Sequence, residues 1–217
     1  DLEHARVVAD HIGSRHHERI CSPDELPGML EEAIYHLESF DALLVRSSVL
    51  NYLAGRIASE HVPAVLSGEG GDELFAGYGY LAEMPLESLP AELVDITNRL
   101  HNTALQRVDR CSAGHGIQAR PGFLDRDVLA YALRIPAELK IAGNGERMGK
   151  WILRKAVEGL LPDTVTWRPK EKFWEGAGVQ GTLAAHAEEV VSDAEFAAER
   201  AVSDSVTLNT KEELLYY

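Results

Sequence analysis

Three observations place this 217-residue chain in the α/β class. A helix-patterned segment runs into a short apolar stretch and a glycine-rich turn, Pro63 to Gly71. That order is how an α/β unit presents a site at the C-terminal end of a buried strand. From Glu87 onward, apolar residues recur mostly at helical spacing, which predicts a largely helical second half. The chain is also long enough to bury a core, as one large domain or two small ones.

The elements follow in order. Leu2, Ala5, Val8, Ala9 and Ile12 predict an opening helix already under way at Asp1. Ser22-Pro23 pairs a good N-cap with Pro at a first helical position, and Leu26, Leu30, Ala33, Ile34 and Leu37 then recur at helical spacing. A further helix is predicted from Ala42 to Glu60, and a buried strand from Pro63 to Ser67. Later helices are predicted at 88–105, 125–133, 146–160 and 181–192, with a glycine- and arginine-rich connector from Arg107 to Phe123. A last helical pattern, Lys211 to Tyr217, is still running where the sequence stops. With no initiator Met and a helix at each end, the chain is expected to be a piece of a longer protein.

A formal charge of −14 argues against a nucleic-acid surface and against anionic membranes, so an anionic ligand must be held locally. Cys21 and Cys111 fit two free thiols in a reducing cytoplasm rather than a disulfide framework. No signal peptide and no apolar run long enough to span a bilayer is present, and a cytoplasmic protein is expected. His16-His17 reads as a solvated pair, and Trp151, Trp167 and Trp174 as core or lid residues.

The most informative stretch is Val65 to Tyr78, VLSGEGGDELFAGY. Glu69, Asp72 and Glu73 place three anions in five residues among four glycines, so a cation, or a polyanion held by one, is expected to offset their repulsion. The turn is not a P-loop, because no Gly-Lys-Ser/Thr follows, and not the dinucleotide fingerprint, because Glu73 holds the third glycine position. What remains is a turn whose amides approach phosphate while carboxylates hold Mg²⁺, a hard ion that prefers oxygen. A surface turn whose acids cap the next helix is the plainer alternative, and Glu73 fits capping as well as metal binding.

The stretch SGEGGDELFAGY resembles the Ser-Gly-Glu-Gly-x-Asp-Glu motif of the asparagine synthetases. Further segments follow in that family's order: Arg107 to Arg110, His115 to Asp125, Asn144-Gly145 through Lys150 to Arg154, Trp167 to Phe173, and Thr210 to Glu213. The resemblance covers residues 1–217 as one synthetase domain. It implies part of a PP-loop-type parallel sheet (adenine-nucleotide α-hydrolase-like) followed by a mostly helical half.

The resemblance also implies a reaction. A carboxylate attacks the α-phosphate of ATP to give an acyl-adenylate and pyrophosphate, and ammonia then displaces AMP to form an amide. Asp72 matches the family's Mg²⁺-pyrophosphate ligand, and Ser67 and Gly68 its phosphate and nucleotide contacts. Glu69 matches the carboxylate at the reacting centre, and Lys170 the cation that neutralises charge on pyrophosphate. Arg46 and Arg107 match its substrate-binding arginines. Arg110 and Lys150 are divided between ion pairing and substrate contact, while Arg120 and Asp125 read as structural hydrogen-bonding residues. ATP and Mg²⁺ are the implied cofactors. Ammonia would come from glutamine through an upstream domain or a partner chain, and a homo-oligomer is expected.

Two departures stand out. The family's Ser-Gly-Gly-x-Asp-Ser pyrophosphate loop and its glutamine-hydrolysing domain would lie before Asp1. Where the family has a Thr-Thr pair before the arginine matching Arg46, this chain has Leu43 and Leu44, and where it has an acid before Arg107, this chain has Ala104. A site that reads a small amino acid through hydrogen bonds depends on such groups, so the acid is expected to be aspartate or a related one, giving asparagine or a related amide. Two rivals stay open: cyclisation by the substrate's own amine, as in β-lactam synthetase, and a catalytically silent interaction module of the same fold.

Overall fold

Eleven buried carbon-rich residues between Leu26 and Tyr216, and a second set between Leu74 and Ile141, already divide the described residues into two packing centres. The computed structural model describes residues 2–142, 147–169 and 180–217. Its contacts define two compact units, one of Asp1–His17, Ala64–Leu105 and Ala119–Glu171, the other of Glu18–Pro63, Gln106–Gln118 and Lys172–Tyr217.

The first unit begins with helix α1 (Leu2–Ile12). Strand β1 (Ala64–Ser67) follows and pairs with β2 (Gln118–Pro121) in a two-stranded parallel sheet. Between the strands run the short helices α4 (Gly71–Leu74) and α5 (Gly79–Glu83), then α6 (Leu89–Asn98). After β2 come α8 (Arg126–Arg134), α9 (Ala137–Lys140), α10 (Trp151–Val157) and α11 (Asp163–Thr166). Leu81, Leu89 and Leu93 gather around Ala76, and Leu74 and Phe75 pack with Ala132. Each such leucine contributes roughly 1.5–3 kcal/mol by leaving water. Both clusters flank the residues between β1 and α5, so the glycine-acid turn stands on a packed base.

The second unit holds α2 (Leu30–Leu37) and α3 (Ala42–Ser59), with Asp41 capping α3 by accepting from the Leu44 amide at 2.7 Å. To these it adds α12 (Gln180–Val190), α13 (Asp193–Glu199), an antiparallel hairpin β3 (Ala201–Ser203) and β4 (Val206–Thr207), and α14 (Lys211–Tyr216). Leu37, Val45, Val49, Cys111, Leu183 and Tyr216 form its core.

Three predicted elements are corrected. The expected connector after Arg107 is mostly helix α7 (Ala104–Ala113) and then β2. Ala104, Val108 and Cys111 are buried at spacing i, i+4, i+7, so one apolar face outweighed the charged residues between them. The single helix expected over 88–105 is broken, because α6 ends at Asn98 and a 3₁₀ turn covers Leu100–Asn102. Thr103 donates its hydroxyl to the Arg99 carbonyl and His101 pairs with that of Asn98, side-chain bonds that compete with helix. Ser22-Pro23 opens a 3₁₀ turn, Pro23–Glu25, and Pro27 starts another, Pro27–Met29, before α2 begins at Leu30. Pro27 has no amide to continue the first turn.

Candidate functional site

β1 delivers Ser67 to the mouth of the turn, and Gly70 then takes φ +92° as the N-cap of α4. A side chain there would be strained and would overlap Leu124, so glycine is required on both counts. Four expected site residues, Ser67, Gly68, Glu69 and Asp72, share this one turn. Ser67 Oγ accepts from the Glu69 amide at 3.3 Å, which tightens it.

Asp72 is held against a cation. Lys150 Nζ lies 2.9 Å from Asp72 Oδ1, with both side chains largely withdrawn from solvent. Lys150 is brought there by an unusual backbone, at φ +57°, and its amide donates to the Phe75 carbonyl at 2.8 Å. Ala76, fully buried, is likewise left-handed at φ +56°. Two non-glycine residues in this conformation beside one carboxylate mark a place where packing enforces local strain. Gly77 completes the arrangement, since a Cβ there would overlap both the Asp72 carboxylate and Lys150 Cε. Of the two roles open to Lys150, the structure shows the ion pair.

Glu73 turns inward, away from both roles open to it. It is buried, and Tyr78 Oη donates to its carboxylate. Burial raises the Glu73 pKa, with the Tyr78 hydrogen bond opposing and the charges of Asp72 and Glu69 adding to the rise. Tyr78 is pushed well above its usual value, first by burial and then by Glu73.

A divalent ion suits this donor chemistry. Asp72 and Glu69 offer the hard oxygens Mg²⁺ takes, and Lys150 shows that the site accommodates a cation at Asp72. No group of three or more His, Cys, Asp or Glu side chains arranged to hold a metal occurs among the described residues, so other ligands would be phosphate oxygens and water.

The two expected substrate arginines fall in the second unit. Arg46, on α3, is engaged by Glu212 of α14: its Nε donates to Oε1 at 2.8 Å and its Nη2 to Oε2. Glu212 is 3% exposed and also accepts from Tyr216 Oη at 2.7 Å. Glu212 raises the Arg46 pKa further, chiefly through the hydrogen bond. Arg107 is half-buried on α7. Leu43 is exposed, Leu44 packs against the α2–α3 core, and Ala104 is buried. Arg110, divided between two roles in the sequence, pairs with Glu38 and donates to the Leu37 carbonyl at 3.1 Å, capping α2. Asp125 caps α8, accepting from the Asp127 and Val128 amides. Trp151 and Trp167 pack on one another, centroids 5.4 Å apart. Lys170 and Trp174 lie outside the described residues.

Three participants went unread in the sequence. Tyr78 and Gly77 sit inside the motif itself but carry no pattern that gives them a role. Glu212 looks like an acid at a helix N-terminus, and nothing local links it to Arg46, 166 residues away.

Comparison with known proteins gives matches along the whole chain. The family model described as asparagine synthase matches residues 1–94 and 87–215. A probable asparagine synthetase [glutamine-hydrolyzing] of Schizosaccharomyces pombe is 39% identical over 228 residues, covering 100% of this chain and 41% of the relative. Asparagine synthetase B [glutamine-hydrolyzing] of Escherichia coli is 38% identical over 220 residues, covering 100% and 40%. The asparagine synthetase [glutamine-hydrolyzing] of Gallus gallus is 41% identical over 181 residues, covering 81% and 32%. The chain thus spans about two fifths or less of the length of these relatives. With a family model matching almost every residue, and relatives aligned over 100% of this chain at 38–39% identity, the chain belongs to the asparagine synthase family.

Proposed function

We propose that this chain is the synthetase part of an ATP-dependent, amide-forming carbon–nitrogen ligase with a PP-loop-type sheet. The observation that carries the reading is the convergence of Ser67, Gly68, Glu69 and Asp72 on one glycine turn with a lysine already seated at Asp72. In this reading the turn amides and Ser67 receive phosphate oxygens, and Asp72 would hold Mg²⁺, whose role is to neutralise phosphate charge. A substrate carboxylate oxygen attacks the α-phosphorus of ATP, and pyrophosphate leaves. Ammonia, supplied by glutamine hydrolysis elsewhere in the protein or in a partner, then attacks the acyl carbon. Glu69 accepts a proton from the incoming amine, AMP departs with the carboxylate oxygen, and the amide remains. Lys170 is proposed to neutralise the charge that gathers on pyrophosphate.

One observation favours an acid other than aspartate. Arg46, the residue matched to substrate binding, has its fork occupied by Glu212, and its neighbours at 43 and 44 are leucines. An occupied Arg46 fork and the missing hydroxyls at 43 and 44 both remove contacts that a small polar acid would use. The test is acid-dependent ATP–pyrophosphate exchange by the full-length gene product, with Asp72→Asn beside wild type. Exchange that some acid switches on and Asp72→Asn abolishes supports the reading. Exchange absent with every acid, or unchanged by the mutation, rejects it, and high efficiency with aspartate rejects the substrate preference alone.

A further inference from the structure

Behind the strained residues of the turn, the first unit contains an open pocket of about 540 Å³. None of Ser67, Gly68, Glu69 or Asp72 lines it. Among the described residues its charged lining is three arginines, Arg147, Arg154 and Arg168, against one acid, Glu83. In a chain with a formal charge of −14 that is a local reversal of sign.

Arg154 donates from Nε to the Gly149 carbonyl at 3.1 Å, and from Nη1 to those of Thr166 and Arg168 at 2.6 and 3.0 Å. These bonds fix the guanidinium but bring it no negative charge, and Nη2 has no acceptor among the described residues. Burial lowers the Arg154 pKa, and the opposing influence is the more distant charge of Asp72, which Lys150 already neutralises. Arg147 donates from Nη1 to the Met84 carbonyl at 2.8 Å, leaving Nε and Nη2 unmatched among the described residues. A half-buried cation held by carbonyls, with spare donors and no counter-ion in contact among the described residues, is arranged to receive an oxyanion. Ala82 and Met148 supply an apolar wall beside those donors.

We infer that this pocket is a binding site for a small oxyanion, a carboxylate or phosphate carried on a compact apolar body, with Arg154 and Arg147 as its ligands. The inference stands on the pocket alone and does not require the ligase reading. Calorimetric titration of the full-length gene product at fixed ionic strength tests it, with phenyl phosphate, benzoate, inorganic phosphate and acetate as probes. Saturable binding of phenyl phosphate or benzoate, each tighter than its headgroup alone, is expected, and the better of the two identifies the headgroup. Arg147→Gln, at an exposed position, should weaken that binding at least fivefold, and Glu83→Gln should tighten it. Asp72→Asn should not weaken it. Absence of saturable binding by all four probes overturns the proposal, as does binding that Asp72→Asn removes and Arg147→Gln leaves unchanged.

Discussion

Replacing Glu212 by Gln takes one charge out of a buried pair while keeping the side chain's shape. Its carboxylate accepts two donors from Arg46 and one from Tyr216 Oη, and it is 3% exposed. A glutamine offers one oxygen where two are used and presents N–H groups to other donors. Removing one partner of a buried pair typically costs 3–5 kcal/mol, because the remaining charge is uncompensated. The Arg46 side chain is 16% exposed and can regain some hydration, so the lower end applies, about 3 kcal/mol. For a chain of this size that corresponds to a fall in melting temperature of roughly 6–12 °C. Urea titration measures the loss, and hydrogen exchange of the Lys211–Tyr216 amides should show α14 opening first. Replacing Arg46, Glu212 and Tyr216 together by Met, Leu and Phe should recover most of the stability, because the pair then leaves no orphan. A Glu212→Gln protein within about 0.5 kcal/mol of wild type, or a triple variant weaker than the single one, refutes this reasoning.

Three further outcomes follow from other sites. Lys140 is buried at the end of α9 with no partner among the described residues, and burial lowers its pKa from 10.5 to about 8. The folded protein therefore holds this proton less tightly than the unfolded chain. The penalty is full below pH 8 and gone above about pH 10.5, so Lys140→Met should stabilise by about 3 kcal/mol at pH 7 and by little at pH 10.5; an equal gain at both pH values contradicts it. Tyr78→Phe leaves the buried Glu73 carboxylate without its donor, costing about 1–3 kcal/mol. Because burial raises the Glu73 pKa, the folded protein holds this proton more tightly than the unfolded chain, and this deficit, which belongs to the carboxylate, should be larger at pH 7 than at pH 4 in denaturant titrations. Gly77→Ala should part Asp72 from Lys150 by steric overlap, reducing pyrophosphate exchange on the order of 10²-fold while costing only about 1–3 kcal/mol in stability.

What was legible in the sequence is what depends on local pattern. The strand at Ala64–Ser67, the glycine turn and helix α3 were readable because apolar spacing and turn chemistry act over a few residues, but the expected burial of the strand is corrected: none of its residues is buried, and Leu66 is 86% exposed. Asp125 was readable as a structural hydrogen-bonding residue, and its role as the cap of α8 was not. Helix α7 was obscured because arginines and an aspartate between its apolar positions read as a connector, and only its buried face decides the element. The Asp72–Lys150 and Arg46–Glu212 pairs were not legible as pairs. Each joins residues 78 or more positions apart, and each depends on the backbone conformations and packing of the folded chain. The inward turn of Glu73 was hidden too, since an acid in the first helical turn reads equally well as a cap.

The central claim is that a carboxylate is activated by attack on the α-phosphorus of ATP, and oxygen labelling tests it most directly. The acid that supports exchange is prepared with ¹⁸O in its carboxylate and converted to amide by the full-length gene product with ATP, Mg²⁺ and ammonia. Mass spectrometry of the nucleotide and phosphate products locates the label. One ¹⁸O atom in AMP, with none in pyrophosphate, is the predicted result. Label recovered in inorganic phosphate, with ADP as the nucleotide product, would place the attack on the γ-phosphorus and contradict the account.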